Sequence, residues 1–339
     1  MQDQEVAEAL LEDLRALLRR PALAFLEPPT RLTGGYDTQI FAFQLKGAPP
    51  EFSGRLVLRA FAPADGHRAR FEGAAQSAIA DLGYPAPRAL HVSEGAGPLG
   101  LPYLLMPRAD GETLLSMGIL RFAGHLARAH AALHALDPAP VRLALEVAGS
   151  GPIASGVGDW LAAIAQEVAQ PGMEPLRPAA EWLHANRPRG SQGQALCHLD
   201  LHPLNVLAKA GGVTGVVDWS NLSFGDPAAD VACTRVILTL APYNAPFLLG
   251  PVAQRGRRFI AWRYLRAYRA FRPLAGDSLR YYEALRCFRA MSHLSRVRLA
   301  ERGGAAVASA GYAWSDPETI ARLTSHFRHI TDVTLGVVK

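Results

Sequence analysis

LCHLDLHPLNVLAKAGGVTGVVDWSNLSFGDPAAD, residues 196–230, contains two short apolar runs separated by a turn signal. The runs 205–209 and 213–217 flank an Ala-Gly-Gly turn. Apolar runs on either side of such a turn are typical of an antiparallel β-hairpin. Because a hairpin returns the chain to the end where it began, we expect Asn205 and Asp218 to lie side by side.

A third polar residue belongs to the same end of this hairpin. Asp200 precedes Asn205 by five residues, in a loop broken by Pro203. Two carboxylates and a carboxamide are hard oxygen ligands of the kind that suits Mg²⁺. A carboxylate outside the metal shell could accept a proton from an attacking hydroxyl, which is the minimal equipment for phosphoryl transfer. The same residue types also fit a purely structural role in turns and caps.

A transition-metal site is an alternative interpretation of the same segment. His198, Asp200 and His202 occupy alternate positions, and in a regular strand all three side chains would share one face. Pro203 and the polar loop argue against a regular strand there. This alternative also leaves Asn205 and Asp218 without a role.

Length and composition limit the class of protein. A chain of 339 residues exceeds what one hydrophobic core usually serves, so we expect two lobes. Apolar residues make up 49% and charged residues 19%, which argues against disorder. We find no apolar run of membrane-spanning length and no secretory signal pattern in the first twenty residues. Three widely spaced cysteines without a CxxC motif predict neither a disulfide framework nor a zinc knuckle, and they favour a cytoplasmic location.

Positive charge is concentrated toward the C-terminus. Residues 231–339 contain 17 Lys and Arg against six Asp and Glu, within a net charge of +5 for the chain. The most basic stretch, 255–272, predicts an amphipathic helix with a solvated arginine face. On a helical wheel the outward residues are Arg255, Arg258, Arg266 and Arg269, and the core-facing residues are Ile260, Tyr264, Tyr268 and Phe271. Because such a face needs no ligand, nucleic acid is a less favoured partner than a small molecule.

The first hundred residues alternate strand-like and helical patterns, and the remainder is mostly helical. We predict helices over 5–19 and 69–81 and strands over 38–46, 55–61 and 101–106. A later helix, with a core-facing stripe from Phe122 to Leu136, carries His130 and His134. We interpret both as packed or solvated histidines without a ligand role.

Three motifs together resemble the aminoglycoside phosphotransferase and choline kinase family. They are HLDLHPLN from His198 to Asn205, DWS from Asp218, and GDPAAD from Gly225 to Asp230. Leu199 and Leu204 stand where the family usually has glycines. The resemblance implies an α+β, bilobal, protein-kinase-like fold. We expect a small antiparallel-sheet N-lobe over 1–106 and a larger, mainly helical C-lobe over 107–339.

The resemblance also implies roles for individual residues in the motifs. Asp200 would be the catalytic base, and Asn205 and Asp218 would be Mg²⁺ ligands. Asp230 would steady the catalytic loop through its backbone. Asp226 and Pro227 have a local explanation as the start of a helix.

In the N-lobe the resemblance concerns nucleotide binding. Arg59 would pair with nucleotide phosphates and with Glu72, unless it is a strand-end arginine that reaches solvent. Gly34 and Gly35 resemble the phosphate-covering loop. The Pro107 carbonyl and the Ala109 amide would hydrogen-bond a purine at the hinge.

These observations predict a kinase that uses ATP or GTP with Mg²⁺ to phosphorylate a hydroxyl of a small molecule, such as an antibiotic, a sugar or an amino alcohol. The alternative is a nucleotide-binding pseudokinase or interaction module without turnover. The basic C-terminal third predicts that neutral, weakly cationic or anionic acceptors are favoured over polycations.

Overall fold

The structure is a computed structural model that describes residues 3–32, 38–151, 153–188, 194–209, 212–242, 251–274, 276–304 and 314–338. The chain divides into two compact units. Unit 1 comprises Met1–Glu112, Ala139–Pro152 and Val206–Ser220, and unit 2 comprises Thr113–Pro138, Ile153–Asn205 and Asn221–Lys339. Each unit consists of three separate stretches of chain, whereas the predicted lobes are continuous. The predicted boundary between an N-lobe ending at 106 and a C-lobe beginning at 107 stays a prediction.

Unit 1 is built around an antiparallel sheet. Its helices are α1 (Asp3–Leu18), α2 (Gly66–Asp81) and α4 (Ala139–Val147), and its strands are β1 (Ala24–Leu32), β2 (Gln39–Lys46), β3 (Arg55–Ala60), β4 (His91–Glu94), β5 (Pro102–Pro107), β8 (Val206–Lys209) and β9 (Gly212–Val216). The two-residue strand β6 (Glu112–Thr113) lies where the chain passes from unit 1 into unit 2.

The five-stranded sheet has the order β1-β2-β3-β5-β4, with all neighbours antiparallel. Strand alternation divides the residues of β3 between the two faces. Leu56 and Leu58 pack in a core with Leu10 and Leu14 of α1. Val57 packs on the opposite face, in a smaller core with residues that include Ala69 of α2. The sheet is therefore covered by α1 on one face and by α2 on the other.

Strand β1 was not anticipated from the sequence. It contains Pro28 and Pro29, and its pairing with β2 shifts register between Phe25 and Glu27 and again between Glu27 and Thr30. Proline cannot donate to a sheet ladder and is tolerated on an edge strand or at a bulge. The edge position of β1 accommodates both prolines.

The hairpin predicted after Asn205 is confirmed. Strands β8 and β9 pair antiparallel, with Val206 opposite Val216. β8 begins directly after Asn205, and β9 ends two residues before Asp218.

Unit 2 is mainly helical. Its helices are α3 (Ile119–Leu133), α5 (Val157–Val168), α6 (Arg177–Ala185), α7 (Pro227–Leu240), α8 (Pro251–Phe271), α9 (Gly276–Arg302) and α10 (Pro317–Thr331). Two short strands, β7 (Ala195–Cys197) and β10 (Ser223–Gly225), pair antiparallel. Helix α7 packs against α8 and α9, and α3 packs against α8.

Helix α7 is buried along nearly its whole length. It begins as predicted, with Asp226 as the N-cap and Pro227 in the first turn. The Asp226 side chain accepts a hydrogen bond from the Ala228 amide at 2.9 Å. This cap fixes the start of the helix that carries Asp230.

Helix α8 is amphipathic, as its sequence predicts. Ile260, Tyr264 and Tyr268 are buried, whereas Trp262 and Phe271 are about half exposed. Phe271 was predicted to face the core, and its exposure follows from its place as the last residue of the helix. Among the helices of the described ranges, none combines the length and the apolar character needed to span a membrane.

Candidate active site

Arg59 lies inside unit 1, so its alternative interpretation as a solvent-reaching arginine is wrong. It occupies β3 opposite Ile40 and Leu104, and its residue is only 8% exposed. Its Nη1 atom lies 3.2 Å from Oε2 of Glu72 and 3.0 Å from Oδ1 of Asp218. Because a buried charge must be compensated, these two carboxylates account for the position of the guanidinium.

Glu72 projects from α2 and is almost completely buried. Burial raises the pKa of Glu72 to about 7, the negative charge of Asp218 adds to the increase, and Arg59 opposes it. Removal from water disfavours the charged carboxylate, and a like charge close by does the same. The protonation state of Glu72 is therefore sensitive to pH near neutrality.

Asp218 follows β9 in a tightly held turn. Its φ angle is 68°, a left-handed conformation that Asp adopts more readily than most residues. Ser220 Oγ donates to Asp218 Oδ1 at 2.7 Å, and the Trp219 indole donates to the Val216 carbonyl at 3.0 Å. One-third of the Asp218 side chain remains exposed, so its carboxylate can still reach a ligand.

The segment 198–205 in unit 2 is an irregular loop anchored by Asp230. The Asp230 carboxylate accepts hydrogen bonds from the amides of His198, at 2.6 Å, and Leu199, at 2.7 Å. Leu199 has a φ angle of 58°, which explains why glycine is usual at this place in the resembling family. Thr234 Oγ1 on α7 also donates to the Leu201 carbonyl, at 2.7 Å. The loop is thus held on both sides of Asp200.

Asn205 closes the loop on itself. Its Nδ2 atom donates to the Asp200 carbonyl at 3.0 Å. The Asp200 carboxylate is partly exposed, and His202 Nε2 lies 3.8 Å from it. The structure therefore holds Asp200 and Asn205 together in unit 2, and Arg59, Glu72 and Asp218 together in unit 1.

The transition-metal alternative is wrong. β7 ends at Cys197, so residues 198–202 do not form the strand that would place His198, Asp200 and His202 on one face. In the described part of the chain, the three-residue group that could hold a metal is instead His130, His134 and Asp230.

The predicted hinge residues lie at the end of the sheet in unit 1. Pro107 ends β5 opposite Leu56, and the next residue, Arg108, donates its amide to the Arg55 carbonyl at 2.8 Å. Ala109 lies against the β8–β9 hairpin. A Cβ atom added to Gly215 of this hairpin would lie 2.6 Å from the Cβ atom of Ala109. Gly34 and Gly35 lie outside the described residues.

The sequence interpretation missed a buried cluster behind Asp230. His130 Nδ1 lies 2.5 Å from the Tyr264 hydroxyl, and His134 Nδ1 lies 2.7 Å from the Tyr268 hydroxyl. Nε2 of His134 is hydrogen-bonded to Asp230 at 3.2 Å. Both histidines are buried, so of the two predicted environments, packed or solvated, the packed one is confirmed. The sequence does contain a sign of this cluster. On α3 and on α8, two polar residues four positions apart lie along the predicted apolar face: His130 and His134 on α3, and Tyr264 and Tyr268 on α8.

An antiparallel sheet covered by helices, a second, mainly helical unit and a loop anchored on a buried aspartate define the class of protein-kinase-like phosphotransferases. The chain belongs to the phosphotransferase enzyme family, whose model matches residues 29–294. The predicted resemblance and the α+β fold class are confirmed.

Solved structures show the same fold at low sequence identity. A structure from Ralstonia eutropha JMP134 aligns with a TM-score of 0.65 and 18% identity, over 94% of this chain and 98% of that chain. A thermostable mutant of aminoglycoside phosphotransferase APH(4)-Ia, in a ternary complex with ADP and hygromycin B, has a TM-score of 0.61 and 20% identity over 94% and 98%. Macrolide 2'-phosphotransferase MphH from Brachybacterium faecium has a TM-score of 0.57 and 21% identity over 91% and 98%.

Curated relatives are much longer than this chain. Acyl-CoA dehydrogenase family member 11 from Homo sapiens is 25% identical over 215 residues, which is 60% of this chain and 26% of that protein. The same protein from Rattus norvegicus is 26% identical over 203 residues, which is 56% of this chain and 24% of that protein. The chain therefore spans about a quarter of the length of these relatives.

Proposed function

We propose that this chain is a Mg²⁺-dependent kinase that transfers the γ-phosphoryl group of ATP or GTP to a hydroxyl of a small molecule. The observation that carries the proposal is the loop 198–205, in which Asp230 holds two consecutive amides directly before Asp200. A base must be held in a fixed orientation to accept a proton from an attacking hydroxyl. Family membership supports the same conclusion.

Asp200 is proposed as the catalytic base. Its carboxylate is partly exposed, as contact with a substrate requires, while the Leu199 amide before it and the Leu201 carbonyl after it are hydrogen-bonded. In this role Asp200 would orient the acceptor hydroxyl and accept its proton as the oxygen attacks the γ-phosphorus. The bond from the γ-phosphorus to the oxygen bridging the β-phosphate would break, and ADP or GDP would leave. No covalent enzyme intermediate is needed.

Asn205 and Asp218 fit a magnesium ion by the chemistry of their donor atoms. They offer a carboxamide oxygen and a partly exposed carboxylate, and hard oxygen donors are what Mg²⁺ prefers. The hydrogen bond from Asn205 Nδ2 to Asp200 directs the amide nitrogen to the loop and leaves Oδ1 as the ligand atom. When bound, Mg²⁺ would neutralise phosphate charge.

Arg59 is proposed to contact the nucleotide phosphates, with Glu72 holding its guanidinium in place. Gly34 and Gly35 are proposed for the loop over the phosphates. The Pro107 carbonyl and the Ala109 amide are proposed to bind the purine. The APH(4)-Ia complexes with ADP and AMP-PNP support a nucleotide as co-substrate.

The acceptor is proposed by class only. The solved relatives are named for aminoglycoside and macrolide phosphorylation, which supports a hydroxyl-bearing small molecule here. The cytoplasmic location stays an expectation from the sequence. A pseudokinase remains the competing proposal, although Asp200, Asn205 and Asp218 are all present.

The test is Mg²⁺-dependent nucleotide turnover against an unbiased library of metabolites and antibiotics. We expect the unmodified chain to phosphorylate at least one acceptor. Asp200→Asn should keep nucleotide binding and lose about 10²–10⁴-fold in kcat, because it keeps the shape and removes the proton acceptor. Glu318→Gln, which changes an exposed carboxylate of unit 2, is the matched control. Near-normal turnover by a folded Asp200→Asn variant would contradict the assignment of the base.

A further inference from the structure

Two tyrosine–histidine pairs lie behind the carboxylate that anchors the catalytic loop. His130 and His134 are one turn apart on α3, and Tyr264 and Tyr268 are one turn apart on α8. All four side chains and Asp230 are buried. The two imidazole rings have their centroids 4.4 Å apart, and each ring meets one tyrosine hydroxyl through Nδ1.

The contacts determine where the protons lie. Nε2 of His134 is hydrogen-bonded to Asp230 Oδ2 at 3.2 Å, and Nε2 of His130 lies 2.9 Å from the same oxygen. An ionised carboxylate only accepts, so Nε2 of His134 carries the proton of its hydrogen bond to Asp230. In the neutral His134 ring Nδ1 is then an acceptor, and the Tyr268 hydroxyl donates to it.

The protonation state follows from burial. Burial lowers the pKa of His134 to about 4, and the neighbouring His130 acts in the same direction. The two histidines hold the pKa of Asp230 well below its usual range against the opposing effect of burial. At neutral pH His134 is therefore a neutral imidazole, and Asp230 carries a negative charge.

The same three ligand atoms could be considered for a metal, because they lie within 4.8 Å of one another. The 3.2 Å contact of His134 Nε2 with Asp230 has the geometry of a hydrogen bond, whereas His130 Nε2 lies 2.9 Å from the same oxygen without that geometry. Asp230 Oδ2 also accepts the His198 amide at 2.6 Å. A proton therefore accounts for the contact between His134 and Asp230, and the metal content of the purified chain tests whether an ion is held there instead.

Asp230 transmits this arrangement to the loop. Its two oxygens hold the amides of His198 and Leu199, and Leu199 has the left-handed φ angle of 58°. A left-handed conformation is unfavourable for a residue other than glycine, so it persists only where its surroundings impose it. Rotation of the Asp230 carboxylate would release Leu199, and Asp200 is the next residue.

We propose that His134 and Tyr268 are positioning residues for Asp200, and that His130 and Tyr264 form a second pair packed against the same Oδ2 atom of Asp230. This inference rests on the proposed function. The Tyr268 hydroxyl fixes the tautomer of His134, His134 fixes the orientation of Asp230, and Asp230 fixes the backbone that presents Asp200.

The decisive variant is Tyr268→Phe, which removes one oxygen atom. Tyr281→Phe is the matched control, because the Tyr281 hydroxyl is also buried and donates to the Leu183 carbonyl at 3.0 Å. We expect Tyr268→Phe to lower kcat about 10–100-fold with an unchanged KM for the nucleotide, since misplacement of a catalytic group by about 1 Å has such an effect. His134→Gln should recover part of the activity that His134→Ala loses, because its amide can donate to Asp230.

A second measurement does not depend on turnover. In hydrogen exchange of peptides spanning 196–201, the amides of His198 and Leu199 should exchange roughly tenfold faster in Tyr268→Phe than in Tyr281→Phe. Equal exchange, or an unchanged kcat in a folded Tyr268→Phe variant, would overturn the proposal. Stoichiometric metal that is present in the purified chain and lost in His130→Ala would replace it with a metal site. If the unmodified chain turned over no nucleotide, the proposed function would fail, and hydrogen exchange would still decide whether the pairs hold the loop.

Discussion

Arg59 Nη1 lies 3.0 Å from Asp218 Oδ1, and the same nitrogen lies 3.2 Å from Glu72 Oε2. One buried guanidinium thus forms ion pairs with two carboxylates, one on α2 and one in the turn after β9. The local balance of charge is negative when both acids are ionised. This shared contact connects strand β3 with the proposed metal ligand, and several predictions depend on it.

Arg59→Ala should raise the nucleotide KM and lower kcat, with a combined loss in kcat/KM of about 10²–10³-fold, because a phosphate would lose a fixed positive charge. Arg59→Lys should retain much of the activity if the role is a point charge on phosphate. Steady-state kinetics at varied nucleotide concentration measures both effects. Arg55→Ala is the control, since Arg55 is exposed on the same strand and pairs with Glu27. A kinetically silent Arg59→Ala would leave Arg59 and Glu72 with a structural role alone.

Asp218→Ala should weaken binding of the magnesium–nucleotide complex at least about 10-fold, because it removes a proposed ligand to the metal. The overall fold should persist, since Asp218 is partly exposed and Arg59 keeps its contact with Glu72. Calorimetric titration with Mg²⁺ and a non-hydrolysable nucleotide measures the affinity. Asp110→Ala, which removes a highly exposed carboxylate of unit 1, is the control. Unchanged affinity in Asp218→Ala would exclude this residue as a ligand.

Glu72 should make stability depend on pH. Its pKa is about 7 in the folded protein against an ordinary 4.5, so the folded state binds more protons between these values. The contribution of Glu72 to stability is therefore fully present below about pH 4.5 and is lost as pH rises through about 7. Relative to Glu72→Gln, the unmodified chain should lose on the order of 3 kcal/mol between pH 4.5 and pH 8.

Chemical denaturation of both proteins at a series of pH values tests this dependence. Glu27→Gln, which changes an exposed carboxylate paired with Arg55, provides the comparison at the surface. Parallel stability curves for the unmodified chain and Glu72→Gln would show that Glu72 keeps its charge throughout.

Acceptor charge should affect kcat/KM. Residues 231–339 contain 17 Lys and Arg against six Asp and Glu, and this excess opposes the approach of a polycation. The effect is screened beyond about 8–10 Å at physiological salt, so local carboxylates such as Asp277 and Glu283 could oppose it. Glu283, however, is already paired with Arg235 and His326. Neutral, weakly cationic or anionic hydroxyl compounds should therefore be better acceptors than kanamycin-like ones.

A matched panel of acceptors, measured by steady-state kinetics at two salt concentrations, tests this expectation. Raising the salt should narrow the difference between neutral and polycationic compounds. A higher kcat/KM for polycationic aminoglycosides than for every neutral or anionic alcohol would show that the charge argument fails.

The local sequence pattern was sufficient to predict the secondary-structure elements that carry the proposed catalytic and binding residues. The hairpin after Asn205, the capped helix that begins at Pro227 and the alternation of β3 around Arg59 all follow from residues that are close in sequence. Turn geometry, capping and strand alternation act over a few residues, so the sequence contains their full physical cause. Strand β1 was missed because Pro28 and Pro29 lower strand propensity, and only its edge position makes them acceptable.

Tertiary structure alone decided which polar groups meet. Tyr264 is 134 residues from His130, and Asp230 is 96 residues from His134, so no local periodicity encodes their hydrogen bonds. The same holds for Arg59 and Asp218, which are 159 residues apart. Spacing predicted that Tyr264 and Tyr268 face a core and left His130 and His134 as packed or solvated. The protonation of a buried group depends on the partner it meets in the core. That partner is determined by the packing of whole helices and strands. A buried donor or acceptor must form its hydrogen bond with a polar group that the fold places within about 3 Å of it.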